Sequence, residues 1–378
     1  MSFRYRYILF LLVSVSMAVA NHSCVRQELE EDFYSTALIP VRIDWSLTDL
    51  DPDNDPNGDI FSASVWFFPK SGSRYQGAPL VYKLSNPRGQ NIEVPIGIYS
   101  ILIFNNTIDE YSGNVGFRGT DRYETFEYYS KPNLASNNTR AGEITPILEP
   151  DYLAAWRMDT YEVTPDMVMV TRSMTKANMS ESRIISADVA TKALSAITPL
   201  PLTKRVHIVI KVVNINAAKA AQGNFINTSH SVFLAQGSYT NSASSFVFPL
   251  NNRKYLEGSN TVGTIEATFN TFGLREGNIL GQYMLSTTFI LNSEYGGSMV
   301  YPTPPAAPYL FDVTKEFTES IASVIVISIG FNAGPGGDPA TAIPPELPEG
   351  IGAGGNGGGL FGISVEEWGE VEDIPVRF

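Results

Sequence analysis

Lys204-Arg-Val-His-Ile-Val-Ile-Lys-Val-Val-Asn214 is the stretch that decides the fold. Val206, Ile208, Ile210 and Val212 recur at every second position, the period of a strand with one buried face. β-Branched residues fill the run and neither glycine nor proline interrupts it. The same texture extends in both directions. Ahead of it stand Ala37–Trp45, with Ile39, Val41, Ile43 and Trp45 on one side, then Phe61–Pro69, Leu80–Leu84 and Asn91–Val94. The nearly continuous apolar run Ser100–Asn105 suits an inner strand, and Val115–Arg118 and Tyr123–Tyr129 add short ones. Behind it come Ser231–Ala235, Ser245–Leu250, Gly263–Phe272, Thr287–Asn292 and Ser323–Phe331. Gly, Pro, Asn and Asp separate these runs, as turns require. Such a series predicts a mainly β chain of sandwich architecture, repeated in two domains. Only Tyr152–Tyr161 and Asp188–Ala196, the latter with Asp188 as cap, read as helices. The prolines of Thr198-Pro-Leu-Pro201 mark the expected boundary, giving domains at 37–200 and 201–378.

The two ends differ from this body. Arg4 and Arg6 precede an apolar run over Tyr7–Ala20, too short for a bilayer span of roughly 20 residues. A basic start, a short apolar core and small residues before a cut site describe a secretory leader over residues 1–23. Cys24 follows directly and is the only cysteine, so it forms no internal disulfide. This start resembles a bacterial lipoprotein signal, in which the cysteine becomes the lipid-carrying mature N-terminus. Asn21-His22-Ser23 lacks the usual Leu three positions back, a looseness familiar in Bacteroidetes lipoproteins. The acidic patch Glu28-Leu29-Glu30-Glu31-Asp32 is similar to the surface-export tag of that group. The competing reading is an ordinary leader cut near Ala20 that leaves a free thiol. Residues 24–36 read as a lipidated tether. At the other end, the Gly/Pro-rich loop 333–359 leads to a terminal strand over 363–378. Its glycines lack the Lys-Ser/Thr pair of a phosphate loop, so a tether is the better reading.

Removing residues 1–23 leaves 355 residues and takes the formal net charge from −13 to −15. An acidic chain without a basic stripe is a poor partner for phosphate backbones, which argues against nucleic acid. Beyond the leader the histidines are His207 and His230, with no partner spacing for zinc or for a nucleophile–base pair. No cofactor and no catalytic residue is expected, and the chain reads as a non-enzyme. The nearest approach to a metal site is Asp53, Asp55 and Asn57 before Gly58, the first half of a calcium loop. Its twelfth position is Ser64, where a bidentate Glu is needed, so an acidic hairpin turn is favoured over a metal site.

Several stretches together resemble fimbrillin-like surface lipoproteins, relatives of Bacteroidetes pilus subunits and often of unassigned function. The N-terminal match rests on Val41-Arg-Ile-Asp44-Trp45-Ser, on Trp66-Phe-Phe-Pro69 with Ser71-Gly72, and on Val94-Pro-Ile-Gly97 through Asn105-Asn106. Phe117-Arg118-Gly119 and Tyr123-Glu124-Thr125 extend it. The C-terminal match rests on Val262-Gly263 through Phe272-Gly273 and on Ile363, Val365, Trp368, Val371 and Ile374. The resemblance implies two tandem transthyretin-like β-sandwiches and a structural or adhesive role at the outer membrane, exposed at the cell surface and held by lipid on Cys24. It also implies partners: other fimbrial subunits, joined by strand addition through the segment Ile363–Ile374. Polymerising relatives lose their first strand by cleavage at a basic residue in the following loop. Here no Lys or Arg lies between Arg42 and Lys70, which leans toward an anchor, a terminal subunit or a non-polymerising relative. The alternative expectation is a glycan-binding surface lipoprotein that stacks host or dietary sugars on Trp156 or on Tyr128 and Tyr129.

Overall fold

The computed structural model describes residues 36–48, 62–134, 144–167, 194–273, 283–292, 300–302, 308–319, 324–331 and 344–348. They are mainly β. The first half runs through β1 (Thr36–Ile43), β2 (Ala63–Pro69), β3 (Leu80–Leu84), β4 (Asn91–Pro95), β5 (Gly97–Asn105) and β6 (Val115–Arg118). It continues with β7 (Glu127–Ser130), the two-residue β8 (Thr145–Pro146), β9 (Ala154–Val163), β10 (Leu194–Ile197) and β11 (Leu200–Pro201). The second half opens with β12 (Thr203–Val213), β13 (Ala218–Thr228), β14 (Ser231–Phe233), β15 (Ser238–Tyr239), β16 (Ser244–Pro249) and β17 (Asn252–Tyr255). Then come β18 (Val262–Phe272), β19 (Met284–Leu291), β20 (Val300–Tyr301), β21 (Tyr309–Asp312), α1 (Thr314–Glu319) and β22 (Val324–Ile329).

In the first half, a three-stranded sheet ordered β10-β1-β4 lies over a five-stranded sheet ordered β11-β9-β5-β2-β3. Ile39, Val41, Ile43 and Trp45 meet Val65, Phe67, Ile101 and Ile103 in the core between them. The second half packs β17-β18-β12-β22 against β20-β19-β13-β16-β8. Val206, Ile208, Ile210 and Val212 all point into that core, as their spacing predicts. His207 takes the opposite face, its Nδ1 3.0 Å from the Thr268 hydroxyl.

A third core joins the halves. β6 and β7 pair with β14 and β15 in a four-stranded sheet drawn from both. It covers the back of the five-stranded sheet, burying Trp66, Phe68, Leu102 and Phe104 against Phe126, Tyr128, Val232 and Leu234. β2 and β5 are therefore buried on both faces, which explains their largely apolar sequence. Ring pairs run through this layer: Trp66 meets Phe126 edge-on at 4.9 Å, and Tyr128 reaches Phe272 at 5.7 Å. Such pairs contribute about 0.5–1.5 kcal/mol each beyond burial.

The structure corrects the sequence reading in places. Tyr152–Tyr161, expected as a helix, lies largely in β9, where Ala154 and Ala155 pack tightly between neighbouring strands. Ala, Leu, Met and Arg favour a helix locally, but a place between β5 and β11 overrides that preference. Leu194–Ala196, the end of the second expected helix, belongs to β10, parallel to β1. Leu200-Pro201 is paired with β9, at a sheet edge where proline withholds no needed donor. Several strands escaped the sequence reading, β13 and β17 among them. β13 is built largely from Ala, Gly, Asn and Gln, and β17 is largely polar, so neither shows an apolar period.

Candidate functional site

β1 is the element on which the functional reading turns. It lies in the middle of its sheet, antiparallel to β4 with Ile39 opposite Ile92, and parallel to β10 with Val41 opposite Leu194. Its alternation buries Ala37, Ile39, Val41 and Ile43, and Trp45 continues the row just beyond. Burying a Val or Ile side chain is worth about 1.5–3 kcal/mol, so this row supplies a large part of the sandwich's cohesion.

The turn after β3 closes over β1. The Val41 amide donates to the Gln90 carbonyl and the Ile43 amide to the Arg88 carbonyl, each at 2.9 Å. Trp45 Nε1 donates to the Pro87 carbonyl at 2.9 Å. Gly89, at φ +130°, makes this closeness possible, because a Cβ there would stand 2.1 Å from the Val41 carbonyl oxygen. On the other side the Asp44 amide donates to the Ile197 carbonyl at 2.8 Å. The slot is thus filled by the chain's own first strand and held from both sides.

The seam between the halves holds the second concentration of chemistry. Arg118 grips the Glu127 carboxylate with two bonds, from Nε at 2.6 Å and from Nη2 at 2.8 Å. Ser231, from the second half, donates to the same carboxylate at 2.5 Å. Burial raises the Glu127 pKa, but the bonds from Arg118 and Ser231 outweigh it and the net shift is downward. Arg118 is pushed up in return, chiefly by its bond to Glu127. His230 is held below the usual imidazole range by burial, partly offset by the Glu127 charge. Its Nδ1 lies 3.2 Å from the Thr240 hydroxyl, and Ser231 is bonded to Glu127 and Thr240. This geometry suits a lock between halves, with the carboxylate as the shared acceptor.

Other residues singled out in the sequence are placed as follows. Tyr128 is fully buried, its hydroxyl donating to the Asp151 carbonyl at 3.0 Å, so it offers no stacking surface. Tyr129 is half-buried under the Arg118 guanidinium, 5.0 Å from its ring centre. Trp156 is half-buried against the first core. Cys24, the loop residues Asp53, Asp55 and Asn57, and the terminal Ile363, Val365, Trp368, Val371 and Ile374 lie outside the described residues. Among the described residues, no group of three or more His, Cys, Asp or Glu comes together, and no helix is long and apolar enough to cross a membrane. Sequence reading missed the seam entirely.

Residues 23–249 match the family described as Domain of unknown function (DUF5119). The chain belongs to this family. The DUF5119 match begins ahead of β1 and runs through β14 and β15, so it takes in both the filled slot and the seam. A candidate fimbrium anchoring subunit of Bacteroides ovatus, Fim4B, is 29% identical over 119 residues, 32% of this chain and 31% of that protein. The aligned region thus spans about a third of the length of that curated relative. Among solved structures, an adhesin candidate from Bacteroides ovatus superposes at TM-score 0.49 with 17% identity, over 86% of this chain and 98% of that one. The fimbrial anchor protein Mfa2 of Porphyromonas gingivalis does so at TM-score 0.40 with 15% identity, over 78% and 90%.

Proposed function

We propose that this DUF5119 protein is a lipid-anchored cell-envelope protein that serves as an anchor or accessory subunit of a fimbrium. One observation carries the reading: β1 sits clamped in the centre of its own sheet, and no Lys or Arg follows it until Lys70. A subunit that keeps its first strand has no vacant groove there for a neighbour's strand. It therefore ends a strand-addition chain at that side. Similarity to a fimbrium anchoring subunit supports the same role. Cys24 supplies the attachment, and multiple acyl chains give stable anchoring where one is marginal. The partnership would then run through the C-terminal segment, with Ile363, Val365, Trp368, Val371 and Ile374 as the apolar side chains offered to a fimbrial subunit.

The test is retention of fimbriae by cells. A strain lacking this protein should shed fimbriae into the medium, and the wild-type chain should restore them to the cell fraction. Cys24→Ala should fail to restore them and should itself appear in the medium. Fimbriae that stay on the cell in the protein's absence would overturn the anchoring role, and membrane-bound Cys24→Ala would overturn the lipid.

A further inference from the structure

β22 stands at the edge of its sheet without the usual protection. Its one strand partner among the described residues is β12, to which it runs parallel, from Val324 opposite Arg205 to Ile329 opposite Ile210. Alternate N–H and C=O groups of β22 therefore point away from the sheet, a template for a further strand. Edge strands are normally guarded by charge or proline. β3 carries Lys83, β4 carries Glu93 and Pro95, and β17, at the far end of this same sheet, carries Arg253 and Lys254. Val324-Ile-Val-Ile-Ser-Ile329 has neither. It is an uncharged run of high β-propensity, the composition that aggregates when its edge is left open. Val326, in the middle of it, is 59% exposed on the outer face.

The chain itself returns to this edge. Beyond the point where β22 stops, residues 344–348 take its place beside β12: the Val213 amide donates to the Pro345 carbonyl at 2.9 Å and the Leu347 amide to the Val213 carbonyl at 3.0 Å, in the parallel sense. Asn214 Nδ2 donates to the Leu347 carbonyl at 2.9 Å, and the Leu347 side chain is buried in the core. Leu347 is thus fixed in line with β22, one strand spacing of ~4.8 Å from the free edge. Residues 349–362 include eight glycines. A coil of that composition spans roughly 20 Å, ample for a return turn. Turning back from Leu347 sends the chain antiparallel along β22, and the stretch that arrives is Ile363-Ser-Val-Glu-Glu-Trp368. We propose that Ile363–Trp368 adds to the free edge of β22 in the same chain, with Ile363 and Val365 toward the core side and Ser364 and Glu366 outward beside Val326. The sheet then ends in a strand carrying Glu366 and Glu367, followed by Gly369 and Pro375, which is the protection that β22 lacks. Arg205 and Lys211, outward on the next strand, match the acidic segment in charge. This goes beyond the anchoring role: it gives the segment a resting place on its own chain, from which a fimbrial subunit would take it.

Disulfide trapping tests it on the isolated full chain carrying Cys24→Ser, without fimbriae, so its outcome is independent of the anchoring role. Opposed side chains on neighbouring strands have Cβ atoms ~5 Å apart. Val326→Cys combined with Ser364→Cys, or with Glu366→Cys, should close an intrachain disulfide on mild oxidation. The better of these two pairs should exceed Val326→Cys with Val365→Cys, which takes the opposite face, by about tenfold. Equal yields from all three pairs, or none from any, overturn the proposal. The yield should not change when the protein is diluted; one that falls on dilution, with dimers as the product, assigns the edge to a second copy and overturns it equally. Hydrogen exchange reads the same edge without cysteines, should those variants fail to fold. Removing residues 360–378 should speed amide exchange within 324–329 about tenfold and leave 206–212 of β12 unchanged. Exchange at 324–329 that stays as slow as in the full chain refutes the added strand.

Discussion

Replacing Gly89 by Ala attacks the clamp over β1 at its tightest point. The new Cβ would stand 2.1 Å from the Val41 carbonyl oxygen and 2.9 Å from the Arg42 Cα, both backbone atoms that cannot swing aside. The backbone at φ +130° is in itself costly for alanine, about 1–3 kcal/mol. Relieving the contact means separating the turn from β1, which endangers the bonds from the Val41 and Ile43 amides. A backbone hydrogen bond is worth about 0.5–1.5 kcal/mol net, so with the strain the total loss comes to about 2–6 kcal/mol. Gly72→Ala is the matched control: φ is +84°, but nothing lies within 4 Å of its added Cβ. Its cost is conformational strain without a clash. Urea unfolding followed by tryptophan emission should show Gly89→Ala losing about 1–3 kcal/mol more than Gly72→Ala, the worth of the two amide bonds, with Trp45 as the nearest reporter. Equal losses would mean that the turn does not hold β1, and the argument that the first strand is locked in place would fall with it.

Two further outcomes follow from the charged groups. At the seam, Glu127→Gln should cost about 1–3 kcal/mol, since it trades charge-assisted bonds for neutral ones while the Arg118 side chain remains 56% exposed to water. His230 and Glu127 both have folded pKa values below their unfolded ones. As pH falls below the usual imidazole range of about 6.5 the unfolded chain takes up the histidine proton first, and then, lower down, the glutamate proton, so stability drops in two steps. His230→Gln should remove the upper step in a plot of Tm against pH and Glu127→Gln the lower; a flat wild-type profile contradicts the reasoning. Glu110 is held at about 2, burial being outweighed by bonds from Ser62, from Thr107 and from Lys83, so its contribution is complete above about 4.5 and lost as pH falls toward 2. Glu110→Gln should flatten that acid limb, and an unchanged limb would discount those bonds.

The strands that sequence reading located most plainly share one physical property: they bury one face or both within a largely apolar pattern. β12 and β1 alternate, β2 and β5 are largely apolar, and all four lie where the pattern placed them. β13 breaks the rule, although it is the middle of its sheet. Gly223 sits against the Phe248 ring, where a Cβ would stand 2.3 Å away, so the partner strand's aromatic fills the space that a side chain would have used. Part of the apolar volume beside β13 is therefore written in β16, while β13 itself adds Phe225 to the core. β9 fails in the opposite sense, with helix-favouring residues that its neighbours hold extended.

The site divides the same way. That β1 would be half-buried was legible, because burial alternates along eight consecutive residues. That it would be clamped was not, since Gly89 reads as one turn glycine among many until its distance to Val41 is known. The seam is further out of reach: Glu127 and Ser231 are 104 positions apart, and a lone Glu in an acidic chain carries no mark of a buried role. What converts the local reading into a functional one is the combination of two facts at different ranges. The absence of Lys or Arg from 43 to 69 says that β1 has no basic cut site in the loop after it, and the double-sided bonding says that it does not leave unaided. Either alone is compatible with a strand that yields to a neighbour's. Together they support the proposed role, in which the chain's own first strand keeps its place in the sandwich.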